Sequence, residues 1–335
     1  MRAVLLKHLI EPSDLQLTTV PDPEPSAHEA RIQLKAAALN HRDLFICRGQ
    51  YAGLRFPTIL GADGAGYVDR RGAVTSQAPS GLVVINPAMN WGGDQCVHGP
   101  EFRILGMPDN GTFAEYVVVP SSQIYPAPAY LTSHEAAALP LTGLTAFRAL
   151  FSRGLLKAGE RVLITGVGGG VASMALVMAV AAGARVAATS RSEQKRAQAR
   201  VLGAELAVDY HGNDWIAQVR RWADEHGPDL VIDGAGGSSL EAALEVVRPG
   251  GRIALYGATL GNVPNLTARR IFWKQLTLVG TTMGSPADFQ AMLDFTTAHQ
   301  IHPPIDSVFP LSDIGKAMRR LDQGGQFGKI VLEIS

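Results

Sequence analysis

Residues 162–190, VLITGVGGGVASMALVMAVAAGARVAATS, decide the fold. An apolar run, Val162–Ile164, enters a cluster of four glycines, Gly166, Gly168, Gly169 and Gly170, and a helical pattern starts at once. A second apolar run, 185–189, follows the helix. Strand, glycine turn, helix and strand in this order make a dinucleotide-binding unit. The turn needs glycine, backbone N–H groups must approach a pyrophosphate closely, and a helix N-terminus favours that anion. The letters depart from G-x-G-x-x-G, because the third position counted from Gly166 is Val171. It is the surrounding strand–loop–helix–strand that makes the reading specific.

The second strand ends in TSRSEQK. Ser190 and Arg191 stand where NAD-specific sites place an acid for the ribose 2′-hydroxyl, and Lys195 lies one turn further on. A hydroxyl with a guanidinium suits a 2′-phosphate. The expected cofactor is therefore NADP(H), while Lys195 taken alone would equally be a solvated helix residue.

Outward from this stretch, 161–257 alternates strand and helix strictly, as a parallel sheet covered on both faces requires. Residues 1–125 read differently, as short β runs separated by Gly, Pro and Asp, with PDPEP (21–25) as an extended connector. A helix is expected from about 130, with Thr132 or Ser133 as its cap. The chain has 335 residues, 46% hydrophobic and 18% charged, enough for two ordinary globular domains. Lys+Arg and Asp+Glu balance at 30 each, which points away from nucleic acid and acidic membranes as partners. The apolar stretch 171–182 is too short to span a bilayer, and the N-terminus does not read as a signal peptide. Two cysteines, Cys47 and Cys96, exclude a disulfide scaffold and a four-Cys zinc knuckle, and fit a cytoplasmic protein.

Several separate motifs, AALNHRD, FPTILGADGAGYV, GTFAEYVVVP, AAALPLTGLTAFRAL and the closing GQFGKIVLEI, resemble those of the medium-chain dehydrogenase/reductases, in the same order and over nearly the whole chain. The resemblance implies an α/β protein: a GroES-like β-barrel catalytic domain, residues 1–125 and 270–335, and a Rossmann domain, residues 126–269. It also discriminates within the family. The catalytic zinc ligands Cys, His and Cys fall here on Asn40, Ala62 and Ala138, and the structural zinc lobe keeps at most Cys96. A catalytic zinc needs three protein ligands and an open position, so no bound metal is expected. Neither His41 with Cys47 nor Cys96 with His98 has a third ligand at metal-like spacing.

The implied activity is zinc-free reduction of quinones or α,β-unsaturated carbonyls. An alcohol or aldehyde dehydrogenase and a non-enzymatic NADPH-binding sensor remain alternatives. In the resemblance, Asn40 takes the vacated ligand position as an amide donor, Asp43 completes an Asn-x-x-Asp pattern, and Tyr51 matches an active-site tyrosine able to donate a proton. Each also has a plain structural role available: Asn40 as a turn cap, Asp43 as a partner of Arg42 or Arg48, and Tyr51 as pocket wall. For the cofactor, the resemblance implies Thr142 near the nicotinamide and Gly169, Gly170 and Val171 as the pyrophosphate turn. It further implies Tyr210 by the 2′-phosphate, Gly257 and Ala258 at the end of the fifth Rossmann strand, Met283 and Gly284 over the nicotinamide, and Lys329 on a phosphate. Relatives dimerise along the strand near 276–281, so a homodimer acting on a small molecule is expected. LTLVG (276–280) would also read as a buried central strand.

Overall fold

The computed structural model describes residues 1–74 and 79–335. The chain forms two compact units, Met1–Thr142 with Ser285–Ser335, and Gly143–Gly284.

The first unit is built on a seven-stranded sheet. Six strands lie in the order Ile124–Pro126, Val83–Ile85, Asp63–Arg71, Glu29–Ala38, Lys329–Glu333 and Ile305–Pro310, and Tyr116–Pro120 also pairs with Glu29–Ala38. The apolar residues of Glu29–Ala38, including Ile32, Leu34, Ala37 and Ala38, are at most 1% exposed. Its three closing alanines leave room for the helix Ser133–Ala138, which lies against this strand and its neighbours Asp63–Arg71 and Lys329–Glu333. Thr132 caps that helix reciprocally: its hydroxyl accepts the Glu135 N–H at 3.3 Å, and the Glu135 carboxylate accepts the Thr132 N–H at 2.9 Å. Ile32, Leu34, Leu44, Ile46, Leu60, Ile85, Phe113 and Ile330 form one buried cluster. Each such side chain contributes roughly 1.5–3 kcal/mol through burial.

The second unit is a six-stranded, all-parallel sheet. Its order is Leu206–Val208, Arg185–Thr189, Arg161–Ile164, Leu230–Asp233, Arg252–Leu255 and Thr277–Gly280. Ranked along the chain this is 3-2-1-4-5-6, the doubly wound dinucleotide order. Val162, Leu163 and Ile164 are fully buried, as expected of strands covered on both faces. The chain returns to the first unit only at Ser285, because Thr277–Gly280 is added to the parallel sheet as its last strand. That strand pairs on one side alone and is an edge with three exposed residues of four, not a buried central strand. Among the described residues, no helix is long and apolar enough to cross a membrane.

Candidate active site

Strand register assembles the chemical centre of the first unit. Ala38 pairs with Asp63 on one neighbouring strand and with Val331 on the other. The Leu39 N–H bonds the Ile330 carbonyl at 2.9 Å, so the antiparallel register runs on past Ala38. Two residues further, Asn40 lies opposite Lys329. Residues two apart share a face of a strand, so Asn40, Asp63 and Lys329 meet on one side.

Their polar atoms are bonded together out of solvent. The Lys329 ammonium donates to Asn40 Oδ1 at 2.6 Å and to Asp63 Oδ2 at 2.8 Å. Asn40 Nδ2 donates to the same Asp63 oxygen at 2.9 Å. The other Asp63 oxygen accepts the Leu141 N–H at 2.8 Å, and the Asp63 carbonyl accepts the Thr112 hydroxyl at 2.7 Å. The Lys329 and Asp63 side chains are 3% and 0% exposed. The amide of Asn40 has one orientation here, because an ammonium has no acceptor and must face Oδ1. Among the described residues its second N–H reaches only the Ala38 carbonyl, at a long 3.4 Å.

Lys329 thus departs from the expected phosphate contact: its amine is committed inside the first unit. In the resemblance Asp63 stands in place of the glutamate of the family's Gly-His-Glu, with no partner implied for it. Its partner comes 266 residues later, and no local spacing joins them.

Asn40 occupies the N-cap position of the helix His41–Cys47. Asp43, in the first turn, accepts the Asn40 backbone N–H at 2.8 Å and so holds the residue whose side chain meets Lys329. Asp43 is fully buried, and its second oxygen has no hydrogen-bond partner among the described residues. Burial pushes its carboxyl from 3.8 up to about 6, against the pull of the Arg42 charge. It bonds neither arginine. Arg48 pairs with Asp322, and Arg42 donates to the Leu105 carbonyl at 2.8 Å. Arg42 also meets Tyr51, its Nε 3.2 Å from the phenol oxygen and its guanidinium 4.7 Å from the ring centre. That oxygen accepts, which leaves the phenol hydrogen to donate. Tyr51 is therefore held by Arg42, and no hydrogen bond joins it to Asn40 or Asp43 among the described residues.

A catalytic zinc does not fit this centre. Of the three positions implied as ligands, Ala62 and Ala138 are buried methyl groups, and Asn40 presents its oxygen to a buried cation. Among the described residues no group of three His, Cys, Asp or Glu side chains could hold a metal. Where the structural zinc lobe would lie, His98 stacks on Phe102 at 4.5 Å and meets the Trp91 ring edge-on at 5.8 Å. Cys47 is buried and its thiol is pushed up to about 12 by burial, while Cys96 is exposed.

The second unit carries the glycine loop between Arg161–Ile164 and the helix Gly170–Ala181. Thr189, which the sequence reading passed over, fastens it. Its hydroxyl accepts the Gly166 N–H at 3.0 Å and its carbonyl accepts the Val167 N–H at 2.8 Å. The loop then rises through Gly168 at φ +132° into Gly169, the helix N-cap. The first-turn N–H groups of Gly170 and Val171 have no partner within the helix and suit an anion. A Cβ on Gly168 would stand 2.6 Å from Cδ of Lys195, whose stem covers this glycine. The bare backbone beside a lysine fits a nicotinamide dinucleotide.

Ser190 is buried and accepts the Ser192 N–H at 3.2 Å, whereas Arg191 is exposed. Arg196, not singled out from sequence, ties the Ser190 carbonyl at 2.7 Å and reaches Asp209 at 3.4 Å. Tyr210 follows the next strand, 38% exposed with its ring 4.6 Å from His211. Gly257 and Ala258 follow Arg252–Leu255, and a Cβ on Gly257 would lie 2.7 Å from the Gly234 carbonyl. Met283 is buried at φ +47°, with Thr145 donating to its sulfur at 3.8 Å, and Gly284 is buried beside it. The Thr142 hydroxyl, in the first unit, is turned back onto the Ala138 carbonyl at 3.0 Å.

The alcohol dehydrogenase GroES-like domain model matches residues 26–129, and the zinc-binding dehydrogenase model matches residues 170–298. The chain is similar to the zinc-type alcohol dehydrogenase-like protein YogA of Leptosphaeria maculans, 38% identical over 96% of this chain and 94% of that protein. Among solved structures it is similar to an NAD-dependent alcohol dehydrogenase, at a TM-score of 0.94 and 38% identity over 100% of both chains. It is also similar to a mycobacterial quinone oxidoreductase, at a TM-score of 0.83 and 26% identity over 100% of both.

Proposed function

Because the chain belongs to the medium-chain dehydrogenase/reductase superfamily, and so is an oxidoreductase, we propose that it reduces quinones or α,β-unsaturated carbonyls with NADPH and without a catalytic zinc. The single observation that carries this reading is the Asn40–Asp63–Lys329 cluster, where a buried ammonium and two methyl groups stand in place of a metal and its ligands. The bound nicotinamide supplies a hydride. When hydride adds to the β-carbon or quinone ring, the carbonyl π electrons move onto oxygen, and a donor must meet the new charge. Asn40 has one loosely bonded N–H for that purpose. Tyr51, whose phenol oxygen already accepts from Arg42, supplies the proton that completes the product. Ser190, Arg191 and Lys195 favour the 2′-phosphate.

The name of the 38%-identical structure supports a second reading, NAD-dependent oxidation of alcohols. Cofactor oxidation at 340 nm separates the two. The expected result is turnover of enones or quinones with NADPH, at least tenfold better than with NADH, and less than 0.1 zinc per chain. Stoichiometric zinc with chelator-sensitive, NAD-dependent alcohol oxidation would overturn the proposal. The exposed edge strand Thr277–Gly280, flanked by Phe272 and Trp273 at 65% and 73% exposure, is the surface on which a second copy would pair.

A further inference from the structure

The reductase reading leaves a question that the zinc-dependent branch does not face: where the positive charge that draws electrons onto the carbonyl oxygen comes from. Among the described residues, the buried cation hydrogen-bonded to the Asn40 side chain is the Lys329 ammonium, whereas buried Arg42 turns to Tyr51 and the Leu105 carbonyl. The ammonium has three hydrogens. One is donated to Asn40 Oδ1 at 2.6 Å and one to Asp63 Oδ2 at 2.8 Å.

We propose that Lys329, clamped by Asp63 against the Asn40 carbonyl oxygen, supplies the electrostatic pull of the missing metal and transmits it through the Asn40 amide to the substrate oxygen. The inference rests on the reductase reading and assigns Lys329 and Asp63 as positioning residues, with Asn40 as the group that touches substrate. Three observations carry it. A charge-assisted bond to the amide oxygen draws electrons from the amide nitrogen and strengthens its N–H groups as donors. The ammonium also fixes the amide orientation, so that both hydrogens lie away from Lys329 and none is lost to a flipped amide. Finally, one of those hydrogens is tied to Asp63 at 2.9 Å, but the other has only the Ala38 carbonyl at 3.4 Å, a contact that a developing oxyanion readily displaces. Asp43, through the Asn40 backbone N–H, keeps the residue in place while this exchange occurs. The ligand class is a carbonyl whose oxygen gains charge during reduction, and no proton leaves Lys329 in the cycle.

The test compares three full-length variants, Lys329→Met, Lys329→Met with Asp63→Asn, and Lys329→Arg, on a series of enones and quinones of graded electron deficiency. The double variant leaves no unpaired buried charge and guards against a folding failure of the single one. Its NADPH affinity, read by cofactor fluorescence, is expected within threefold of wild type. Its kcat is expected to fall about 100-fold, with KM moved less than threefold. The fall is steepest for electron-rich enones and smallest for electron-poor quinones, whose anions need less help. Lys329→Arg is expected to recover kcat to within tenfold of wild type. A loss equal across the series, or none, would overturn the inference. Should the wild type turn over no member of the series, the reductase reading fails on its own. The charge placement is then read from the 15N-labelled Asn40 side-chain amide, which is expected to shift upfield in proton frequency and to exchange faster with solvent in the double variant. Identical spectra for wild type and variant would overturn it.

Discussion

Removing one partner of the Lys329–Asp63 pair is expected to destabilise the first unit by about 3–5 kcal/mol. At 2.8 Å and an effective dielectric of about 20, the pair attracts with about 6 kcal/mol. The remaining charge in Lys329→Met or Asp63→Asn loses that attraction and cannot reach water, since the two side chains are 3% and 0% exposed. The assay is urea unfolding followed by tryptophan fluorescence and circular dichroism. With a slope of about 3 kcal/mol/M, the midpoint of each single variant should fall by about 1–1.7 M. The double variant, which is neutral at both positions, should lose no more than about 2 kcal/mol, well short of the sum of the singles. Two results would refute the reasoning: single variants within about 1 kcal/mol of wild type, as for a solvated pair, or a double variant equal to the sum of the singles.

Four further outcomes follow from single features of the structure. Asp43 titrates near 6 when folded and at 3.8 when unfolded, so its relative contribution is fully present below about pH 3.8 and lost as pH rises through 6. Asp43→Asn should therefore gain about 2 kcal/mol on wild type between pH 4 and pH 7, and parallel stability curves would count against it. One thiol per native chain should react rapidly with a disulfide reagent, Cys96, and Cys47 only after denaturation, because Cys47 is buried and held protonated. Gly168→Ala places a side chain at φ +132° and against Lys195, and should weaken NADPH binding at least about tenfold by fluorescence titration while the fold is retained. The proposed pairing predicts a dimeric mass for the wild type and a monomeric one for Trp273→Arg, at 73% exposure, in light scattering, and a monomeric wild type or an unchanged mass would reject that surface.

The alternating pattern of 161–257 and the glycine cluster at 166–170 were enough to read the parallel sheet, because each strand, turn and helix there is written in neighbouring residues. The same local grammar picked out Thr132 as one of two cap candidates and Asn40 with Asp43 as a pair, three residues apart and joined in the structure through a backbone N–H. It could not rank Asn40 as cap or as donor. That depended on where the amide points, and the amide points where Lys329 makes it point.

What the sequence determined by itself is therefore the fold class, the glycine turn between strand and helix and the replacement of the zinc-ligand residue types, since each is carried by residue types at short, regular spacing. What only the tertiary structure decided is the composition of the chemical centre. From sequence, Lys329 is expected on a cofactor phosphate and Asp63 stands where the family has a glutamate, and nothing in either reading joins the two. Antiparallel pairing of Lys329–Glu333 with Glu29–Ala38 brings residues 289 apart into one hydrogen-bonded cluster, and register across a sheet is set by packing the whole core, not by any stretch of the chain.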